Sequence, residues 1–187
     1  MRIISRSHRG RQIFPDKSFS ARPTTDFAKE NLFNVLTNYM DLEDISALDL
    51  FSGTGSISYE FASRGANEII AVELNYNHFA FIKRMSKELG FRNLKVYKTD
   101  MFMACQKLKG RKFDLIFADP PYNLPSIQQV PLSIFENDLL TENGIAVIEH
   151  PASVDYSALP YFYERRKYGS VNFSLFRKKA PGNSCEE

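Results

Sequence analysis

Leu48-Asp49-Leu50-Phe51-Ser52-Gly53-Thr54-Gly55-Ser56-Ile57-Ser58 runs from an apolar stretch through two closely spaced glycines into a segment with helical spacing. An apolar run that stops at a glycine turn and restarts as a helix is the opening of a βαβ unit. Gly53 and Gly55 let the backbone approach a ligand with no Cβ in the way. The helix beyond them begins with amide donors that have no partner of their own. The stretch is close to a dinucleotide fingerprint, but Ser58 stands where that pattern has its third glycine. The substitution counts against a pyrophosphate ligand.

Outward from this stretch the pattern repeats. Residues 47–51, 68–73, 94–98, 113–118 and 145–149 read as strands, with helices at 57–63, 75–89, 101–108 and 126–140. Such alternation implies a parallel sheet with helices on both faces. Residues 161–168 and 171–177 read as a closing pair across Gly169, which makes a mostly parallel seven-stranded sheet with one antiparallel strand. Upstream, Phe27, Leu32, Phe33, Leu36 and Tyr39 recur at helical spacing after the N-cap candidates Thr24, Thr25 and Asp26, and this helix is expected to reach about Met40. Residues 1–23 read as a basic N-terminal arm, in which Arg2-Ile3-Ile4 and Gln12-Ile13-Phe14 form a short β-hairpin across Arg9-Gly10-Arg11. The main domain then spans 24–179, and 180–187 form a disordered tail.

A chain of 187 residues can bury a full core, and its 43% hydrophobic and 25% charged content is ordinary for a soluble globular protein. No apolar run approaches the ~20 residues of a membrane span. The Arg-rich N-terminus has no apolar core of a secretory signal. Cys105 and Cys185 are isolated thiols, which fits a reducing, cytoplasmic location, and their spacing suggests no metal. The net charge of +2 is unevenly spread. Arg2, Arg6, Arg9, Arg11, Lys17 and Arg22 face only Asp16 in the arm, and Arg165, Arg166, Lys167, Arg177, Lys178 and Lys179 cluster late in the chain. Two basic segments suggest a polyanionic partner.

The acids sit at strand ends. Glu73 ends the second strand, where a carboxylate can accept both hydroxyls of a ribose. Asp49, in the first strand, can reach an ammonium, and Asp100, after the third, can accept from an adenine amine. Phe51, Gly53, Thr54, Gly55, Leu74 and Met101 complete this candidate cofactor site. Its negative charge suits the sulfonium and ammonium of S-adenosylmethionine better than a diphosphate.

Asp119-Pro120-Pro121-Tyr122 follows the fourth strand, at the sheet edge where open α/β proteins bind ligands. If Asp119 and the Pro120 carbonyl accept the hydrogens of an exocyclic amine, its nitrogen is drawn toward tetrahedral geometry and its lone pair faces a methyl carbon. Catalysis is then mostly alignment and electrostatics. Pro121 stiffens the loop, and Tyr122 stacks on the base, a contact worth about 1–3 kcal/mol. This chemistry needs no imidazole base, so His8, His78 and His150 are read as surface or packing residues.

The chain resembles the RsmD-type 16S rRNA guanine-N2 methyltransferases. The likeness is carried by Met1-Arg2-Ile3-Ile4, Arg9-Gly10-Arg11, Arg22-Pro23-Thr24-Thr25-Asp26, Glu30-Asn31-Leu32-Phe33-Asn34, the Leu48–Gly55 block, Ser63-Arg64-Gly65-Ala66, Val72-Glu73, Asp119-Pro120-Pro121-Tyr122 and Lys167-Tyr168-Gly169. The resemblance implies a class I S-adenosylmethionine-dependent methyltransferase fold, Rossmann-like, with S-adenosyl-L-methionine as donor and S-adenosyl-L-homocysteine as product. It implies a guanine N2 of 16S rRNA, in assembled 30S subunits, as acceptor; a monomer is expected. By the same resemblance Arg22, Thr24 and Asp26 lie at the active-site rim; with the basic charge of the arm, Arg2, Arg9, Arg11, Arg22, Thr24 and Lys29 are expected to contact RNA. Lys29 stands where the family often carries arginine, keeping the charge without bidentate recognition.

Three rival readings compete with this one. An N6-adenine methyltransferase of DNA or RNA uses the same Asp-Pro-Pro-Tyr logic, but a chain of 187 residues has no room for a separate target-recognition domain. A non-catalytic RNA-binding assembly factor has no use for Asp119. An NAD-linked reductase is disfavoured by Ser58 and by the lack of a hydride-transfer set.

Overall fold

The computed structural model describes residues 1–15 and 26–178. Arg22, Thr24 and the 180–187 tail lie outside the described residues. Strands β1 (Ser46–Leu50), β2 (Glu68–Glu73), β3 (Leu94–Lys98), β4 (Phe113–Ala118) and β5 (Leu140–His150) pair in parallel. With β6 (Phe162–Tyr168) and β7 (Val171–Phe176) they form one sheet in the order β3-β2-β1-β4-β5-β7-β6. β7 is the strand that runs against its neighbours, since it pairs antiparallel with both β5 and β6.

The order of connection reverses between β1 and β4, which opens a crevice at the carboxyl ends of these strands. Helices α1 (Asp26–Leu36), α2 (Ser56–Ser63) and α3 (Tyr76–Glu88) bury their apolar residues against one face, with Ala47, Leu115 and Val147. α4 (Met101–Lys107) and α5 (Gln129–Glu136) cover the other, with Leu48, Ile116 and Ile148. α2 is buried on every side, because α1 and the N-terminal arm pack over it. No helix among the described residues is long and apolar enough to cross a membrane.

Two sequence expectations are corrected here. The helix expected over 126–140 ends at Glu136, because Leu139 and Leu140 are fully buried and feed the sheet. The fifth strand, expected over 145–149, begins at Leu140 and carries Asn143-Gly144 inside it at a bulge, where the register jumps from Phe113–Leu140 to Leu115–Ile145. A Cβ at Gly144 would come within 2.8–3.0 Å of Thr141, Leu140 and the Asp114 carbonyl.

In the arm the expected pairing is present, with the Ile3 amide donating to the Arg11 carbonyl and the Ile13 amide to the Met1 carbonyl, both at 3.0 Å. Arg2 and Gln12 form a single antiparallel bridge, and Arg6–His8 make a 3-10 turn between them. Ile3 and Ile13 are buried in the core of α1 and α2. Each such side chain contributes about 1.5–3 kcal/mol when fully buried. The described part of the arm is therefore built onto the main domain.

Candidate active site

Register decides which side chains meet at the carboxyl rim. Leu50 pairs with Val72 and with Ala118, and Ala118 pairs with Ile148. The next residue on each strand therefore falls in one row: Glu73, Phe51, Asp119 and Glu149. Side chains alternate between faces along a strand. Asp49, Glu73, Asp119 and Glu149 share the parity of Ala47, Ala71, Phe117 and Val147, all of which face α1–α3. Four carboxylates from four neighbouring strands thus converge on one side of the sheet. They line a cleft of about 920 Å³, which Asp100 also lines.

On the β1–β3 side, Asp49 is 1% exposed. It accepts a short bond from the Ser58 hydroxyl, and the Ser52 hydroxyl bonds its carbonyl at 2.8 Å. Burial pushes the Asp49 carboxyl up to about 7, against the pull of these serines. The glycine that Ser58 replaces would have left this acid without that partner. Glu73 ties two loops together: its Oε2 accepts from the Gly53 amide at 2.7 Å and its Oε1 from the Asn75 amide at 2.7 Å. An ionised carboxylate has about four lone-pair sites, so acceptor capacity is left for sugar hydroxyls. His78, read in sequence as a packing or surface residue, lines the cleft with Nδ1 3.8 Å from Glu73 Oε1.

Phe51 adopts φ +60, a left-handed backbone that is uncommon outside glycine and typical of functional turns. Asp100 caps α4, accepting from Phe102 and Met103 through one oxygen, Oδ1. Thr54, Leu74 and Met101 line the same cleft. Gly55 is not among the lining residues. It is left-handed at φ +82 at the start of α2, and a Cβ there would come 2.7 Å from the Tyr59 ring. Close packing, rather than approach to a ligand, demands glycine at 55.

On the β4–β5 side, Asp119 follows Ala118 and bonds its amide to the Leu50 carbonyl at 3.4 Å. Burial holds its carboxyl well above the usual range, and the charges of Glu149 and Asp49 push the same way. Burial also lifts Glu149 to about 7, opposed by the Tyr122 hydroxyl, which donates to it at 3.1 Å. Pro120 is buried, Pro121 is exposed, and Tyr122 is 49% exposed at the mouth. Sequence reasoning did not single out Glu149. Its signal was present all the same, as an acid at a strand's end in phase with buried Val147.

The family model described as "Conserved hypothetical protein 95" matches residues 1–177. The chain belongs to the RsmD-type methyltransferase family. YlbH of Bacillus subtilis (strain 168), provisionally named an rRNA methyltransferase, is 31% identical over 185 residues, covering 96% of this chain and all of the relative (100%). Ribosomal RNA small subunit methyltransferase D of Escherichia coli (strain K12) is 26% identical over 187 residues, covering 98% of this chain and 93% of the relative. A solved structure of a hypothetical protein from Thermus thermophilus superposes with a TM-score of 0.83 at 26% identity, over 95% of this chain and 99% of that one. The architecture is that of the class I, Rossmann-like methyltransferases.

The residues expected to contact RNA separate into groups. Arg2 is exposed, with Nε 3.7 Å from Asp26 at the start of α1. Arg9 and Arg11 are exposed and do not line the cleft. Lys29 must be corrected. It is 1% exposed and pairs at 3.2 Å with Glu60, which is fully buried. It also donates to Ser56 at 3.2 Å and to the Arg2 carbonyl at 2.5 Å. Burial lowers its pKa, and Glu60 pulls it back up. A lysine in that place cannot reach a phosphate.

Phe27, expected on the core face of α1, is 65% exposed and lines the cleft, as do Tyr168–Val171 of the β6–β7 turn. Of the late basic cluster, Arg166 pairs with Glu164 at 2.8 Å and Lys178 with Asp138 at 2.8 Å. Arg165 donates to Asn172 at 2.9 Å.

Proposed function

We propose that this chain methylates the exocyclic N2 of a guanine in 16S rRNA, within the 30S subunit, with S-adenosylmethionine as donor. One observation carries the reading: acids from adjacent strand ends share one cleft, with Asp-Pro-Pro-Tyr at its β4 edge. Relatives named for methylation of small-subunit rRNA support the RNA substrate. The cleft volume of about 920 Å³ suits a small molecule together with an inserted base.

The residues fit the donor. Cleft acids whose pKa values are raised are complementary to positive charge, and binding a cation would drive off their protons. Asp49 would face the ammonium, Glu73 would accept from the ribose hydroxyls, and Asp100 would accept from the adenine amine. When bound, the donor supplies a methyl group already activated on a sulfonium.

The target base has to leave its stack to reach this depth. Tyr122 and Phe27, aromatic and exposed at the mouth, offer faces for it. Asp119 and the Pro120 carbonyl accept from the two hydrogens of N2 and aim its lone pair at the methyl carbon. Asp119 would stabilise the positive charge that develops on N2 as it takes up the methyl group and the donor departs as S-adenosylhomocysteine. The nitrogen then sheds one proton. The raised pKa of Asp119 makes it a competent acceptor at neutral pH.

The test is incubation of purified protein with radiolabelled donor and, in parallel, undermethylated 30S subunits, naked 16S rRNA and DNA, followed by nucleoside analysis. N2-methylguanosine from 30S subunits is the expected product. N6-methyladenosine would replace this reading with the adenine one. S-adenosylhomocysteine binding without methyl transfer to any substrate would make the chain a binding factor.

A further inference from the structure

Glu149 is 5% exposed and lines the cleft. Its Oε1 takes the Tyr122 hydroxyl at 3.1 Å, and its Oε2 is buried with no hydrogen-bond partner among the described residues. Buried acceptors are rarely left unmatched, and one beside a substrate cleft points to a donor that arrives with the substrate. The neighbour of this acceptor is informative. Ala118 pairs with Ile148, so Asp119 and Glu149 stand side by side on adjacent strands, which are spaced about 4.8 Å apart.

Taking from the proposed function that Asp119 holds the exocyclic amine of a base, Glu149 must face the ring position next to that amine. In guanine the amine is flanked by N1–H, a donor, and N3, an acceptor, and a carboxylate matches only the N1–H side. In adenine the position is N1 and in cytosine N3, both bare acceptors. Two adjacent carboxylates are thus complementary to one amine-bearing base alone.

We propose that Glu149 is the specificity-determining residue: it accepts N1–H of guanine while Asp119 accepts from N2, and it rejects adenine and cytosine by setting a carboxylate against a ring lone pair. A site built around a hydrogen bond discriminates strongly, because the wrong partner leaves a buried group unmatched. Tyr122 has the complementary part. Its hydroxyl occupies one Glu149 oxygen, and turning to stack on the base releases that oxygen to the incoming edge.

The probe is 2-aminopurine, which keeps the amine of guanine but has a bare N1. 16S rRNA carrying guanine or 2-aminopurine at the methylated nucleotide is reconstituted into 30S subunits, and kcat/KM is measured for each. The wild type is expected to prefer guanine by about 100-fold. In Glu149→Gln the side-chain amide can donate to the bare N1, so the preference should fall to about fivefold or less, through a loss on guanine and a gain on 2-aminopurine. A wild-type preference near unity would overturn the proposal without recourse to any variant. So would an unchanged preference in a Glu149→Gln protein that still binds S-adenosylhomocysteine. Failure of the wild type to methylate guanine at all would instead strike the proposed reaction.

Discussion

Asp49 is a carboxyl group that folding takes out of water, and its protonation is therefore tied to stability. An unfolded aspartate titrates near 3.9, whereas burial lifts folded Asp49 to about 7. Between those values the unfolded chain gives up its proton first, so stability falls as pH rises through the window and is level above it. Asp49→Asn keeps an acceptor for Ser58 and removes the buried charge. The variant is expected to be more stable than the wild type at pH 8, by roughly 1–4 kcal/mol, with no gain near pH 4. It should also bind S-adenosylhomocysteine more weakly. Thermal unfolding at the two pH values is the check, and an equal shift at both would remove Asp49 as the titrating group. Asp119 separates binding from chemistry. Asp119→Ala should leave S-adenosylhomocysteine affinity within about threefold while kcat drops by about 100-fold or more. Calorimetry and single-turnover methyl transfer measure the two, and undiminished turnover would reject the assigned role.

At the scale of elements, α1 shows how one helix serves both core and site. Positions 29, 32, 33 and 36 form one stripe at helical spacing, and all four are buried. Position 27 lies off that stripe and faces the cleft. Helical periodicity was therefore legible in the sequence, but residue type misled. A lysine was read as a surface charge and a phenylalanine as core, and the fold reverses both. The reversal is possible because α2 presents the buried Glu60, whose Oε1 also accepts the Ile4 amide. Lys29→Ala removes one of two cations at Glu60, Arg64 Nε staying 3.4 Å from its Oε2, so it is expected to cost about 3 kcal/mol of stability, the low end for a broken buried pair. The salt dependence of RNA binding should not move. A changed salt slope in a protein of unchanged melting temperature would return Lys29 to the RNA surface.

At the scale of the molecule, residues 1–15 of the arm pack onto the main domain. Removing residues 1–15 would take away buried Ile3 and Ile13 as well as the Ile4–Glu60 bond, so truncation would report on folding more than on RNA. Replacing exposed Arg9 and Arg11 by alanine separates the two. The double variant should melt like the wild type, and the slope of log K against log salt should flatten by about 0.7–0.9 for each lost phosphate contact. An unchanged slope would place RNA on another face.

Alternation of strand and helix, the glycine turn, and acids at strand ends are local features, so the sequence by itself determined the doubly wound class and pointed to Asp49, Glu73, Asp100 and Asp119. Register between strands is not local. Only the tertiary structure decided that Glu149 stands beside Asp119, that Ser58 holds Asp49, and that Glu60 meets Lys29. Each of these pairs joins separate elements, and the bulge in β5 shows why no count along the chain could have aligned them. Inserted residues slide every later side chain relative to its neighbour strand, and hydrogen bonding and packing across strands choose which carboxylates face each other.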